Sequence, residues 1–371
     1  MKAIVLRKIN GGIDKQIALA DVPKPRLQDE ADVLIKVLEV GLDGTDKEII
    51  VEHYGVMPAQ AEHMIIGHEL LGVIEEAGPQ SGFAVGDLAT VLVRRPCGLP
   101  ECIHCREGQQ DFCSTGRYTE RGIREADGFM GEYVVENARF VVKVPAVCRP
   151  YGVLVEPQSV VEKICRQAAV IQERLIWRPQ TALVIGSGPL GLLAALTCRT
   201  MGLDVHVWSK SAADSVNADI VRRSGGHYHY ADETRAKGDG PFASGLTETA
   251  AEWGRGIDWI WECSGHSPLV LEAMTILNPN GMLALLGVTP GHSVIEAPSD
   301  LLNREMVLRN KCVIGSVNSS RADFEAAVAR LQEIEHQLPG ELVQITTDVL
   351  AIEQVPGIDF RKIAVKAVVR L

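Results

Sequence analysis

Short apolar runs, broken by glycine and proline, fill the chain to about residue 156. The runs at 3–6, 32–40, 72–77, 88–93, 131–135 and 140–144 predict strands of an irregular, mostly β domain. Past residue 158 the period changes, and Val161, Ile164, Ala168, Ile171 and Leu175 recur at helical spacing. A strand at 182–185, a glycine turn, a helix at 190–201 and a strand at 204–208 are predicted next. Further strands are expected at 258–262, 282–286 and 311–316, separated by helical stretches. This alternation predicts an α/β region built on a parallel sheet. The stretch 318–371 holds one helix (322–331) and one strand (366–371), too little for a domain, and is expected to return to the first one.

At 371 residues the chain has room for about two domains of ~150 residues, and 46% apolar content suffices for sizeable cores. Acidic residues outnumber basic ones, 48 to 37, for a net charge of −11, which argues against broad attraction to nucleic acid or anionic membrane. The opening MKAIVLRKIN has no apolar run or small-residue cleavage site of a signal peptide, so a cytoplasmic location is expected. The uncharged stretch 179–198 has the length of a membrane span, but three glycines and Pro189 interrupt it, and it reads better as strand, turn and helix.

Gly186-Ser187-Gly188-Pro189-Leu190-Gly191 fits G-x-G-x-x-G between an apolar strand and an apolar helix. The first glycine permits the tight turn, the second lets backbone approach a pyrophosphate, and the third lets helix pack on strand. Phosphate charge then meets free N–H groups at the helix N-terminus. Dinucleotide binding is the expected role, against a purely structural turn.

Nine cysteines cannot all pair internally, and four of them, Cys97, Cys102, Cys105 and Cys113, crowd into C-x4-C-x2-C-x7-C. Four thiolates can enclose one Zn²⁺ tetrahedrally with no position left for substrate, so a structural ion is expected here. The bland alternative is reduced cysteines or a disulfide pair. A second, dispersed set comprises Asp43, His68, Glu69 and Glu156, each beside a strand-like run. One imidazole with carboxylates leaves Zn²⁺ an open position, as a catalytic site requires. Taken singly these residues read equally well as a turn former, a core histidine and solvated or capping carboxylates.

Together the motifs resemble the zinc-containing medium-chain alcohol dehydrogenases. Gly67-His68-Glu69-x2-Gly72-x5-Gly78 is similar to that superfamily's zinc signature, and the order of signature, cysteine lobe and glycine turn agrees. Residues 41–46 (GLDGTD), 93–95 (VRR), 110–113 (QDFC), 127–130 (DGFM), 156–157 (EP) and 315–318 (GSVN) resemble the glucose 1-dehydrogenase branch. The resemblance implies a GroES-like catalytic domain with a structural zinc lobe at 1–157, a Rossmann doubly wound parallel-sheet domain at 158–317, and a return to the first domain at 318–371. It also implies Asp43 and His68 as zinc ligands, Glu69 and Glu156 as variable ligands, and Thr45, Glu120 and Asn318 as sugar contacts, with Glu69 and Glu156 also facing substrate. Three departures stand out: the first cysteine gap is x4 where x2 is usual, Glu156 replaces a glutamine, and Val160 replaces a sugar-binding aspartate of other members.

The implied reaction is oxidation of glucose, or another aldose, at C1 to a lactone by hydride transfer to nicotinamide. Thr45 is expected to carry the hydroxyl proton outward, with Asp46 or Glu48 assisting. No acid occupies the tip of the second strand of the α/β region, where an NAD site would carry one. Ser209, Lys210 and Ser211 stand there instead, which predicts NADP⁺ in preference to NAD⁺, with Asn318 counted beside the cofactor as well. NAD⁺ use stays open, as does a contact from Asp214. The remaining expectations are up to two Zn²⁺ per chain, a small-molecule sugar partner, neither nucleic acid nor membrane, and a homo-oligomer, dimer or tetramer. Two rivals are a polyol or secondary-alcohol dehydrogenase of the same superfamily and a non-catalytic zinc- and nucleotide-binding protein.

Overall fold

The computed structural model describes residues 1–10, 14–231, 245–254, 256–288, 292 and 294–371. The chain divides into two units, one of Met1–Ser159, Asn318–Gln332 and Thr346–Leu371, the other of Val160–Val317 with Glu333–Ile345.

The first unit is mostly β. Its seven-stranded sheet centres on Asp32–Gly41, which pairs antiparallel with Glu69–Ala77, Tyr133–Asn137 and Lys366–Arg370. Asp32–Gly41 is buried almost throughout, with Lys36 facing solvent. Val33, Ile35, Val37 and Val40 join Leu70, Ile74, Val91, Val141, Ala367 and Val369 in one core. Each of the valine, leucine and isoleucine side chains among them contributes about 1.5–3 kcal/mol by leaving water. A strand at Asp14–Asp21, absent from the sequence expectations, pairs with Lys2–Ile9 along its full length. The helix Gly44–Glu52 was likewise unforeseen, and a capping box at Asp43 and Asp46 starts it.

The second unit holds a six-stranded sheet in which every pair is parallel. Numbered within the sheet, the strands run 3-2-1-4-5-6, the dinucleotide-fold order whose direction reverses beside strand 1, Thr181–Ile185. That strand is buried on both faces, which explains its unbroken apolar run. The edge strand His227–Tyr230 escaped the sequence reading because it carries no apolar alternation.

Residues 333–345 were expected with the first domain but lie in the second unit. There Arg223 donates through Nε and Nη2, each at 2.9 Å, to the two carboxylate oxygens of Glu341. This bidentate pair, together with the buried Leu342 and Ile345, gives the segment a reason to stay.

Candidate functional site

Asp43 caps the helix Gly44–Glu52. Its Oδ1 accepts from the Asp46 N–H at 3.0 Å, and Asp46 Oδ2 accepts from the Asp43 N–H at 3.1 Å. This reciprocal clasp leaves Asp43 Oδ2 turned to His68 Nε2 at 3.5 Å, while Asp46 Oδ2 stands 3.6 Å from His68 Nδ1. The imidazole therefore lies between two carboxylates, one on each nitrogen. Asp46 had been expected near Thr45 on an outward proton path. It is fully buried instead and acts on the far side of the ring.

His68 and Glu69 enter the strand Glu69–Ala77, where Glu69 is the register partner of Gly41. A Cβ at Gly41 would lie 1.9 Å from Glu69 Oε2, so the carboxylate occupies space that only glycine leaves free. Glu69 Oε2 pairs with Lys366 Nζ at 2.5 Å, and Lys366 also donates to Leu42 O at 3.2 Å. Lys366, fully buried at the head of the strand Lys366–Arg370, is a site residue that sequence reading missed.

Donor atoms of Asp43, His68 and Glu69 all lie within 4.8 Å of one another. Tetrahedral Zn²⁺ with ligands at ~2.0–2.2 Å sets its donors about 3.3–3.6 Å apart, which the 3.5 Å between Asp43 and His68 matches. Burial alone would depress the His68 pKa, yet Asp43 and Asp46 raise it well above the usual histidine value. Burial pushes the Asp43 carboxyl up, but His68 and Lys366 outweigh it and hold it below the ordinary carboxylate range. Such a field favours a cation between these donors, and the donor set fits zinc.

Glu156, on the first turn of the helix Val155–Gln172, is not among the donors inside that distance. Burial pushes its carboxyl up to about 8; His68 opposes this, while Glu69 and Asp43 add to it. Thr45 and Glu48 are half-buried on the helix that Asp43 caps.

Glu120 and Asn318, far apart in sequence, come together: Asn318 Nδ2 donates to Glu120 Oε1 at 3.0 Å. Arg94 donates to the same oxygen from Nε at 3.1 Å and Nη2 at 2.9 Å while stacking over Tyr118. The backbone after Glu120 packs on the residue before His68. A Cβ at Gly122 would lie 2.3 Å from Gly67 O, and Phe129 N donates to that carbonyl at 2.9 Å.

The sulfurs of Cys97, Cys102, Cys105 and Cys113 also lie mutually within 4.8 Å. Zn–S bonds of ~2.3 Å imply sulfurs about 3.8 Å apart, and Cys102 and Cys113 stand at 3.9 Å. All four are free of disulfides, and the Cys97 N–H points at Cys105 Sγ, 3.4 Å away. The x4 gap is taken up by a turn in which Cys102 N donates to Leu99 O at 3.1 Å. His104 leans toward Phe112, its ring centroid 6.3 Å away.

In the second unit Gly186 leaves Ile185 with φ +98°, and a Cβ at Gly191 would lie 2.1 Å from Gly186 O. Gly188 caps the helix Pro189–Thr200, with Pro189 at its first position and Leu190 next. Ser187 Oγ lies 2.8 Å from Ser209 Oγ and donates to Ser211 Oγ at 3.2 Å, so the turn and the tip of the neighbouring strand share one hydroxyl cluster. Lys210 and Asp214 are both exposed. The bare cradle and the hydroxyls fit a dinucleotide phosphate group.

The family described as Glucose dehydrogenase C-terminus matches residues 149–371, and the Alcohol dehydrogenase GroES-like domain matches residues 29–146. The chain belongs to the glucose dehydrogenase family. Within this family, glucose 1-dehydrogenase from Methanocella arvoryzae is 38% identical over 366 residues, 98% of either chain. Glucose 1-dehydrogenase from Halobacterium salinarum is 35% identical over 95% of this chain and 94% of its own. Glucose dehydrogenase from Haloferax mediterranei, solved in complex with NADP, Zn and gluconolactone, superposes with a TM-score of 0.88 at 28% identity, covering 100% of this chain and 99% of that one. The family's fold, a GroES-like domain with a Rossmann-like parallel-sheet domain, extends further still. 2R,3R-butanediol dehydrogenase from Bacillus subtilis superposes at 0.77 with 19% identity, over 100% of this chain and 99% of that one.

Proposed function

We propose that this chain is a zinc-dependent glucose 1-dehydrogenase that oxidises glucose at C1 to the lactone and prefers NADP⁺. The observation that carries the reading is His68 held between Asp43 and Asp46 with Glu69 beside it, in a chain whose relatives are named for glucose oxidation. The Haloferax mediterranei complex with gluconolactone supports the choice of product over a polyol or secondary-alcohol reaction.

Asp43, His68, Glu69 and Glu156 would hold the catalytic zinc, and Cys97, Cys102, Cys105 and Cys113 a structural one. Bound zinc supplies Lewis acidity that eases proton loss from the reacting hydroxyl, and bound NADP⁺ supplies the hydride acceptor. The chain's own residues do the rest. Asp46 fixes the imidazole so that Nε2 faces Asp43, the outer-shell role that aligns a ligand. Lys366 anchors Glu69. Thr45 takes the hydroxyl proton and passes it toward Glu48. Glu120 and Asn318, already hydrogen-bonded to each other, orient the sugar hydroxyls. Gly186 to Gly191 receive the pyrophosphate, while Ser209, Lys210 and Ser211 receive the 2′-phosphate.

The domain limits we adopt are 1–157, 158–317 and 318–371, less the segment 333–345. No helix among the described residues is long and apolar enough to cross a membrane, and we place the enzyme in the cytoplasm. The outer strand Cys312–Gly315 has one partner among the described residues, and its open edge suits pairing in a dimer or tetramer, which sedimentation would count.

The deciding experiment measures initial rates on glucose, galactose, xylose and sorbitol with each nicotinamide cofactor. Rapid glucose oxidation with NADP⁺ is expected. Absence of glucose oxidation alongside rapid sorbitol oxidation would replace this reading with a polyol dehydrogenase.

A further inference from the structure

A second group of titratable side chains stands on the parallel sheet and has no part in the chemistry above. Asp204 and His206 lie on the strand Asp204–Ser209, and His227 and His229 on the edge strand His227–Tyr230. The register sets His206 opposite His227 and Trp208 opposite His229, and the two-residue period of a strand puts Asp204, His206, His227 and His229 on one face.

Three donors converge there. Asp204 Oδ1 lies 3.1 Å from His227 Nε2, and Asp204 Oδ2 lies 3.9 Å from His206 Nε2. One ligand atom from each of the three residues lies within 4.8 Å of the others. Side-chain exposure rises from 8% at His206 through 29% at Asp204 to 56% at His227, so the group is walled on one side and open to solvent on the other.

The surroundings hold His206 in place. Its Nδ1 shares a 2.9 Å hydrogen bond with His229 Nε2, and the Trp253 ring stacks on it at 4.1 Å and 23°. In the tautomer that donates from His206 Nδ1 to His229, Nε2 carries the lone pair that a metal ion would take. A histidine ligand is commonly oriented in this way, its second nitrogen engaged by a neighbour. Two imidazole nitrogens and a carboxylate at this separation supply a mixed nitrogen and oxygen donor set, in which a divalent ion would replace the proton now shared between Asp204 and His227. Nitrogen donors also select against Ca²⁺ and Mg²⁺, which prefer all-oxygen shells.

We propose that Asp204, His206 and His227 bind a divalent transition-metal ion of the Zn²⁺ class on the nucleotide-binding unit. The ligands come from the starts of two strands, whereas the glycine turn follows a strand's end. Five residues at about 3.3 Å each put Ser209 roughly 17 Å from Asp204. Occupancy therefore leaves the dinucleotide cradle untouched and ties the edge strand to its neighbour.

The test dialyses the zinc-loaded holoenzyme against increasing Zn²⁺ and counts bound metal by elemental analysis, comparing wild type with His227→Ala, Asp204→Asn and a control, His336→Ala, at an exposed helix position. At free Zn²⁺ that just fills the site in wild type, wild type and the control should bind one more equivalent than His227→Ala, and filling the same site in either ligand variant should need ~10-fold or more free Zn²⁺. Because the count is a difference between variants, it does not depend on how many ions are held elsewhere. In parallel, Cu²⁺ should quench Trp253 fluorescence in wild type and not in His227→Ala, with Trp253→Phe identifying the signal. Equal metal uptake by wild type and His227→Ala, each with native circular dichroism, would overturn the proposal. So would quenching that survives in His227→Ala.

Discussion

Replacing Lys366 with methionine isolates one electrostatic contact of the candidate site. The side chains of Lys366 and Glu69 are 0% and 1% exposed, and Nζ stands 2.5 Å from Oε2. Methionine fills similar space but leaves the Glu69 carboxylate buried without its cation. Breaking a buried pair from one side costs about 3–5 kcal/mol, whereas an exposed pair would contribute at most ~1 kcal/mol. Urea unfolding with metal stripped from every sample by chelator measures the loss, so that no zinc beside Glu69 stands in for Lys366. The companion variant Lys366→Met/Glu69→Gln replaces both charges and should recover most of it, because a neutral pair of similar volume is often close to neutral in stability. The gap between the double variant and the sum of the singles is the coupling energy. A cost under ~1 kcal/mol for Lys366→Met, or a double variant no more stable than it, would refute the argument that Lys366 anchors Glu69.

The other predictions concern chemistry, folding and cofactor choice. His68→Ala and Asp43→Ala should each lower kcat ~100-fold or more with unchanged circular dichroism, since Lewis-acid assistance is worth several kcal/mol; near-normal turnover in either would rule out the ligand roles. Cys102→Ser should lose one zinc per chain and melt earlier, because opening a closed thiolate shell costs folding free energy; full zinc content at wild-type stability would show that the lobe holds no metal. Lys210→Ala should raise KM for NADP⁺ and leave KM for NAD⁺ in place, and a preference for NAD⁺ that the substitution does not alter would remove the phosphate-binding role.

The glycine turn and the cysteine cluster were legible in sequence because each depends on local spacing, whereas His68 and Glu69 stood out only through their resemblance to a family signature. A turn with φ +98° at Gly186, or four sulfurs from a seventeen-residue loop, admits few alternatives. Asp46 and Lys366 were not legible in those roles. Asp46 reads as an ordinary first-turn acid, and only the fold shows His68 behind it. Lys366 opens an apolar strand and reaches Leu42 across 324 positions, a pairing no local pattern encodes. The edge strand His227–Tyr230 failed differently: its residues are polar or aromatic and half-exposed, so the periodicity that marks a buried strand is missing. The helix Gly44–Glu52 likewise buries only Asp46, Ile49 and Ile50, too few to give a clear apolar stripe.

The place of Lys366–Arg370 beside Asp32–Gly41 bears on how the molecule is made. A chain leaving the ribosome folds its early domains first when their contacts are local. Here the strand that lies against Gly41 is translated only after the whole parallel sheet has emerged. Until then the nascent first unit exposes an open, apolar sheet edge at Val40 and Gly41, the kind of edge that invites pairing with other chains. The half of the protein that is synthesised first is thus completed late, and during that interval its unpaired edge is open to pairing with other chains.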